Sequence, residues 1–200
     1  MPPAVAPYHV VIVPIYYSSK ERDIVIKFAE SIKKNLEKKF RVIFDKDEQH
    51  SPGWKYNYWE MKGVPIRIEI GPRDVKSKQV VLSRRDEKKK VDVKESKLIS
   101  VVENSLDAIQ KNLRANADAF FKSKISDAKS FQNLKKKLEE KGGLVRINWC
   151  GGGKCADEIK SQTNGGTIRG TLFNKKETVK GVCLVCGEKA NSVVYVAKQY

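Results

Sequence analysis

Val10 to Phe40 reads VVIVPIYYSSKERDIVIKFAESIKKNLEKKF, and this stretch decides the fold class. Its first six residues, Val10 to Ile15, are a continuous apolar run rich in β-branched side chains, the pattern of a strand covered on both faces. The period then changes. Ile24, Phe28, Ile32 and Leu36 recur every four residues, and Ser18 followed three positions later by Glu21 makes a capping box, so an amphipathic helix starts there. Arg41 to Phe44 predicts a second strand. His50-Ser51-Pro52-Gly53 restarts the chain as a helix ending at Gly63, with Ser51 as N-cap and Pro52 at the first helical position. Pro65 to Ile70 (PIRIEI) alternates side chains, Gly71-Pro72 turns, and Gln79 to Arg84 (QVVLSR) predicts the next strand. From Lys94 onward, Leu98, Val101 with Val102, Leu106, Ile109 and Leu113 return at helical spacing. Strand and helix thus alternate through about residue 115, which predicts an α/β layer around a mixed sheet.

Beyond that point a further amphipathic helix is expected over Asp118 to Lys141, with Phe120, Ile125, Phe131, Leu134 and Leu138 on one stripe and a Lys-rich opposite face. After Gly142-Gly143 the composition shifts, and glycines, all four cysteines and short β-like segments fill Leu144 to Tyr200. The expected domains are therefore residues 1–115 and 116–200, with no internal repeat.

Apolar residues make up 40% of the chain, enough to bury at least one core. Forty Lys and Arg against 24 Asp and Glu leave a net charge of +16. A polyanion is the natural partner for such a field, because neutralising phosphates releases condensed counterions. No apolar run approaches the roughly eighteen residues of a membrane-spanning helix, so no membrane partner is expected. MPPAVAPYHVVIVPI has no basic segment ahead of its apolar stretch and no small-residue cleavage site, so it does not read as a signal peptide. A cytoplasmic address follows, and in a reducing compartment cysteines serve as metal ligands or free thiols more often than as disulfides.

Cys150 and Cys155 form one close pair and Cys183 and Cys186 another, with 27 residues between the pairs. Two such pairs can present four thiolates to a tetrahedral zinc, and the intervening glycines let the backbone turn around the metal. Two disulfides or a redox dithiol are the alternatives. A thioredoxin-like site wants its cysteines after a strand and at a helix N-terminus, which the β-like tail does not offer. Four cysteines without a nearby histidine predict a closed structural site, not a catalytic one.

Ser51 to Asp74 (SPGWKYNYWEMKGVPIRIEIGPRD) packs Trp54, Tyr56, Tyr58 and Trp59 among Lys55, Lys62, Arg67 and Arg73. Aromatic faces that stack unpaired bases, interleaved with cations that hold phosphates, suit single-stranded RNA loops. Trp59 and one of the tyrosines are expected to face the sheet as ordinary core. Trp54 and Lys55 are assigned to the exposed helix start.

These residues also carry a resemblance. The succession PPAVAPYHVVIVPI, PGWKYNYWEMKGVPIRIEIGPRD, QVVLSRRD, WCGGGKC, GVCLVCGEKA and a terminal tyrosine resembles the archaeal and eukaryotic-type prolyl-tRNA synthetases over nearly the whole chain. His9 departs from the polar, often amide, residue expected there and reads as a strand-edge position. The resemblance implies a class II anticodon-binding domain with a mixed five-stranded sheet and flanking helices, followed by a small α+β zinc-binding domain. It implies tRNA(Pro) and the chain's own catalytic domain as partners, and a homodimer in the full-length enzyme. ATP and Mg2+ would belong to that catalytic domain, whose antiparallel sheet has no counterpart in these residues, so this chain alone is not expected to aminoacylate and no catalytic residue is assigned. The terminal carboxylate of Tyr200 is implied to reach toward the active site of the full-length enzyme.

Proline codons begin CC, so the cognate anticodons end in two guanines. A carboxylate accepts from guanine N1–H and N2–H2, while Arg or Lys reaches O6 and N7. Glu69, Arg73 and Asp74, at the end of the third strand and its turn, are the right types for this. Alternatively, Arg73 and Asp74 pair with each other and brace the turn. Lys78 and Arg84 are further candidates, for phosphate. Two other functions remain open: a non-catalytic zinc module that binds RNA or docks on protein, and a redox or metal-handling protein.

Overall fold

The structure is a computed structural model that describes residues 1–87 and 89–198. Its contacts divide it into two compact units, Met1–Asn116 and Ala117–Tyr200.

The first unit is built on five strands. They are β1 (Val10–Pro14), β2 (Val42–Phe44), β3 (Ile66–Ile70), β4 (Gln79–Arg84) and β5 (Lys90–Lys94), in the spatial order β2-β1-β3-β4-β5. β1 runs parallel to β2 and β3, whereas β3, β4 and β5 follow one another antiparallel. Four helices belong with it: α1 (Ser19–Leu36), α2 (Pro52–Met61), α3 (Pro72–Ser77) and α4 (Leu98–Ser123), the last of which contains the division between the units.

β1 is covered on both faces, as its unbroken apolar run predicts. Val10 and Ile12 pack with Val25, Ala29, Ile32 and Leu36 of α1 and with Leu98, Val102 and Ile109 of α4. Val11 and Val13 pack on the other side with Val64, Tyr56 and Trp59.

The inward stripe of α1 differs from the one read at four-residue spacing. Ile24 is 57% exposed, and Val25 takes its place in the core. A strict spacing of four drifts by about 40° per step on a helix of 3.6 residues per turn, so three steps carry Ile24 off the buried face. The Ser18 half of the expected capping box forms, its hydroxyl accepting from Glu21 N–H at 3.3 Å, whereas Glu21 Oε2 accepts from Tyr17 N–H at 3.0 Å and not from Ser18.

Two elements of this unit were not legible. α3 lies within what reads as a simple Gly71-Pro72 turn. β5 (KVDVK) has only Val93 buried, and its exposed lysines are those of a sheet edge that discourages further pairing.

In the second unit, β6 (Ile125–Asp127), β7 (Leu144–Trp149), β8 (Gly166–Gly170) and β9 (Ser192–Lys198) form a sheet in the order β6-β7-β9-β8. Helices α5 (Phe131–Glu140) and α6 (Gly153–Gln162) bring Leu134, Leu138 and Ile159 onto Val145, Ile147, Val194 and Val196. The single helix expected over Asp118 to Lys141 is in fact three elements. α4 ends at Ser123, β6 pairs with β7 through Ile125 and Leu144, and α5 restarts where the Ser130 hydroxyl accepts from Asn133 N–H at 3.2 Å. Ser130 is a cap inside an apparently continuous stripe, and sheet pairing outweighed the helical period. Tyr200 lies outside the described residues. No helix among the described residues is long and apolar enough to cross a membrane.

Candidate nucleic-acid interface and metal centre

Helix α2 carries the aromatic residues. Ser51 caps it, accepting from Trp54 N–H at 3.4 Å, and Pro52 occupies the first position. Trp54 is exposed and stacks on His50 at 3.7 Å between centroids and on Tyr58 at 5.0 Å, with both pairs close to parallel. Lys55, read as exposed alongside it, is instead 4% exposed. One residue further along a helix is about 100° further around it, which turns Lys55 inward. There its ammonium pairs with Asp45 Oδ1 at 3.4 Å and donates to the Asp47 carbonyl. Trp59 faces inward as expected, and its Nε1 donates to Asp45 Oδ2 at 2.7 Å.

The most organised polar cluster lies where α2 meets β3 and the edge strand β5. Arg67 and Glu69 alternate onto one face of β3, and Tyr56 and Glu60 stand one turn apart on α2. The Arg67 guanidinium lies 3.9 Å over the Tyr56 ring and donates to Glu60 Oε1 and to Glu69 Oε1, each at 3.1 Å. Lys90 donates to Glu69 Oε2 at 2.7 Å. Burial first, then the neighbouring Glu69 carboxylate, pushes the Tyr56 hydroxyl far above its ordinary range, so it stays a protonated donor. Glu69 is buried at 5% exposure, whereas the side chains of Glu60 and Lys90 reach solvent. The cluster therefore shows water one carboxylate and one ammonium, with an arginine between them.

The remaining sequence candidates are dispersed. Arg73 is exposed on α3, and Asp74 Oδ2 accepts from Gly71 N–H at 2.7 Å. Asp74 thus braces the turn through the backbone and not through Arg73. Lys78 is exposed at the end of α3 with φ of 49°. Arg84 is committed: its Nε and Nη2 bind Asp86 at 3.1 and 2.6 Å, and Asn112 donates to the same carboxylate at 2.9 Å. Sequence reading singled out Glu69 and placed Tyr56 and Arg67 in the aromatic and basic stretch, but it named neither Glu60 nor Lys90. The four-residue spacing from Tyr56 could have flagged Glu60. Lys90 comes from a strand that sequence did not reveal.

In the second unit, Cys150 directly follows β7, Cys155 sits in the first turn of α6, and Cys183 and Cys186 lie in the loop before β9. All four sulfurs lie within 4.8 Å of one another, with Cys150 Sγ 3.6 Å from Cys155 Sγ and 3.8 Å from Cys186 Sγ. Four thiolates bound tetrahedrally at about 2.3 Å stand ~3.8 Å apart, so this arrangement could hold a metal ion. The thiols are free, and these separations are well beyond the roughly 2.05 Å of a disulfide bond. α6 does supply a helix start beside a strand, which the β-like reading of the tail missed because glycines in CGGGK conceal its beginning.

The loop is shaped for the ligands. Cys183 N–H donates to the Glu188 carbonyl at 2.7 Å, and Gly187 N–H to the Cys183 carbonyl at 3.1 Å. Gly187 has φ of +76°, which only glycine adopts without strain. Burial pushes the Cys155 thiol up to about 12, helped by the thiols around it. Burial also opposes the Cys183 thiolate, but the backbone N–H groups of Cys186, Val185 and Cys150 outweigh it and bring that thiol down to about 7.

Two family descriptions match the chain: "Anticodon binding domain" over residues 9–105 and "Prolyl-tRNA synthetase, C-terminal" over residues 131–200. The proline–tRNA ligase of Thermofilum pendens is 40% identical over 201 residues, covering 100% of this chain and 42% of the relative. That of Alkaliphilus oremlandii is 42% identical over 200 residues, covering 100% and 41%. A solved structure of Giardia lamblia prolyl-tRNA synthetase in complex with prolyl-adenylate matches with a TM-score of 0.92 at 32% identity, covering 100% of this chain and 44% of that one. The chain spans about two fifths of the length of the curated relatives it matches.

Proposed function

Because the chain belongs to the prolyl-tRNA synthetase family, as its anticodon-binding and C-terminal portion, we propose that it reads the two guanines ending the proline anticodon. The observation that carries this reading is the cluster on α2, β3 and β5. Glu60 offers the solvent-facing carboxylate that guanine N1–H and N2–H2 require, and Arg67 with Lys90 offers donors for O6 and N7. Exposed Arg73 and Lys78 serve the phosphates around it, and the stack on Trp54 offers a face to an unpaired base.

Residues 1–115 form the anticodon-binding domain in this reading, and residues 116–200 a domain held by one structural zinc on Cys150, Cys155, Cys183 and Cys186. Four soft thiolates at tetrahedral spacing favour zinc over harder cations. The complete enzyme attaches proline to tRNA(Pro) through an adenylate, using ATP and Mg2+ in the catalytic domain. It works in the cytoplasm as a homodimer, and Tyr200 bears on that active site.

The test is binding of this chain to a short anticodon stem–loop RNA. Changing either anticodon guanine to adenine should weaken binding by about 1–3 kcal/mol, the usual worth of a specific base contact. Equal affinity for all three RNAs would remove the anticodon reading.

Salt supplies an independent prediction. The logarithm of affinity should fall linearly with that of salt concentration, and Lys78→Ala should lower the slope by about one while leaving discrimination between RNAs unchanged. Binding that ignores salt would point to a protein-docking module instead.

A further inference from the structure

Glu69 has the chemistry of a guanine reader but not the freedom of one. Its carboxylate is buried, and each oxygen already serves a different cation: Oε1 accepts from Arg67 Nε at 3.1 Å and Oε2 from Lys90 Nζ at 2.7 Å. A base reaching Glu69 directly would have to displace a buried, hydrogen-bonded ion pair, leaving a cation without its partner. The outer ends of the cluster are different. Arg67 extends past Glu69 to the half-exposed Glu60, and the Lys90 side chain is 54% exposed on an edge strand.

Restraint is what these two cations need and what Glu69 supplies. An exposed lysine on an edge strand samples many rotamers, and two neighbouring cations repel. Glu69 sits between them and holds both. The Tyr56 ring, 3.9 Å beneath the guanidinium, and Glu60 on its other side complete the confinement of Arg67.

We propose that Glu69 is a positioning residue that makes no contact with RNA and sets base specificity by fixing Arg67 and Lys90 in one geometry. The inference rests on the anticodon reading above and adds to it which carboxylate faces the base and which stands behind.

A mutant cycle tests it in this chain, read as the ratio of dissociation constants for the adenine-substituted and guanine-containing stem–loops. Glu69→Ala should reduce that ratio on the order of tenfold. In a chain carrying both Arg67→Met and Lys90→Met, Glu69→Ala should reduce it no further, because a residue acting only through two others has no effect once they are gone. A further reduction in that background would mean that Glu69 touches the base, and the proposal fails. It fails equally if Glu69→Ala leaves the ratio intact in the otherwise unchanged chain. Glu69→Gln keeps the volume and one acceptor oxygen, so it should retain the melting transition and show an intermediate ratio that also vanishes in the double-Met background. That variant decides by the same criterion if Glu69→Ala does not fold. A lack of discrimination in the unaltered chain is a separate result, since it overturns the anticodon reading before any Glu69 variant is made.

Discussion

Metal analysis of the purified chain should return about one zinc per molecule, and stripping that ion should unfold the β6-β7-β9-β8 sheet and its two helices. The four sulfurs lie within 4.8 Å of one another, just after a strand, at a helix start and in a loop. Burial, helped by the neighbouring thiols, pushes the Cys155 thiol up to about 12, so a thiolate there is unfavourable without a cation. A divalent ion reverses that, and its binding energy becomes folding energy, about 10–16 kcal/mol for structural zinc at neutral pH. That is as large as the roughly 5–15 kcal/mol stability of a typical domain, so the unit should not survive without the metal. Cys183→Ser should act like chelation. Hydrogen exchange followed by mass spectrometry would separate the units, with residues 117–198 losing protection while the five-stranded sheet of the first unit keeps its own. Well under half an equivalent of zinc with unreactive thiols would overturn the assignment, as would full protection after chelation.

The second large effect belongs to the buried pair of Asp45 and Lys55. Asp45→Ala should cost about 3–5 kcal/mol, because it leaves an ammonium in the interior with no counter-charge. Lys55→Met should be far milder. Removing the lysine leaves Asp45 with two hydrogen bonds, from Trp59 Nε1 at 2.7 Å and from Asp47 N–H at 3.0 Å, whereas removing the aspartate leaves Lys55 only the Asp47 carbonyl. The apolar stem of methionine also fills the space that the lysine stem occupied. Denaturant unfolding of both variants measures the asymmetry, and equal costs would show that the pair is not the reason Lys55 is held inside. RNA affinity of Lys55→Met should match that of the unaltered chain at fixed salt, since a 5%-exposed side chain cannot reach a phosphate.

These results bear on what is legible in a sequence. Sequence alone determined the elements whose pattern is local: the doubly covered β1, the capped starts of α1 and α2, the strand β4 with its bounds, and the paired cysteines whose spacing anticipates a four-sulfur cluster. Each follows from contacts within a few residues, where period, capping and turn chemistry operate. The tertiary structure alone decided the rest. Trp54 and Lys55 are adjacent and equally plausible at a helix start, and only the presence of Asp45 beneath α2 drew one inward and left the other out. Glu69 and Lys90 are 21 residues apart, and their pairing depends on an edge strand whose charged pattern hides it from any period count. A side chain's charge is written in the sequence, but the partner that neutralises it is set by the sheet order, because electrostatic partners are chosen by distance in space and not along the chain.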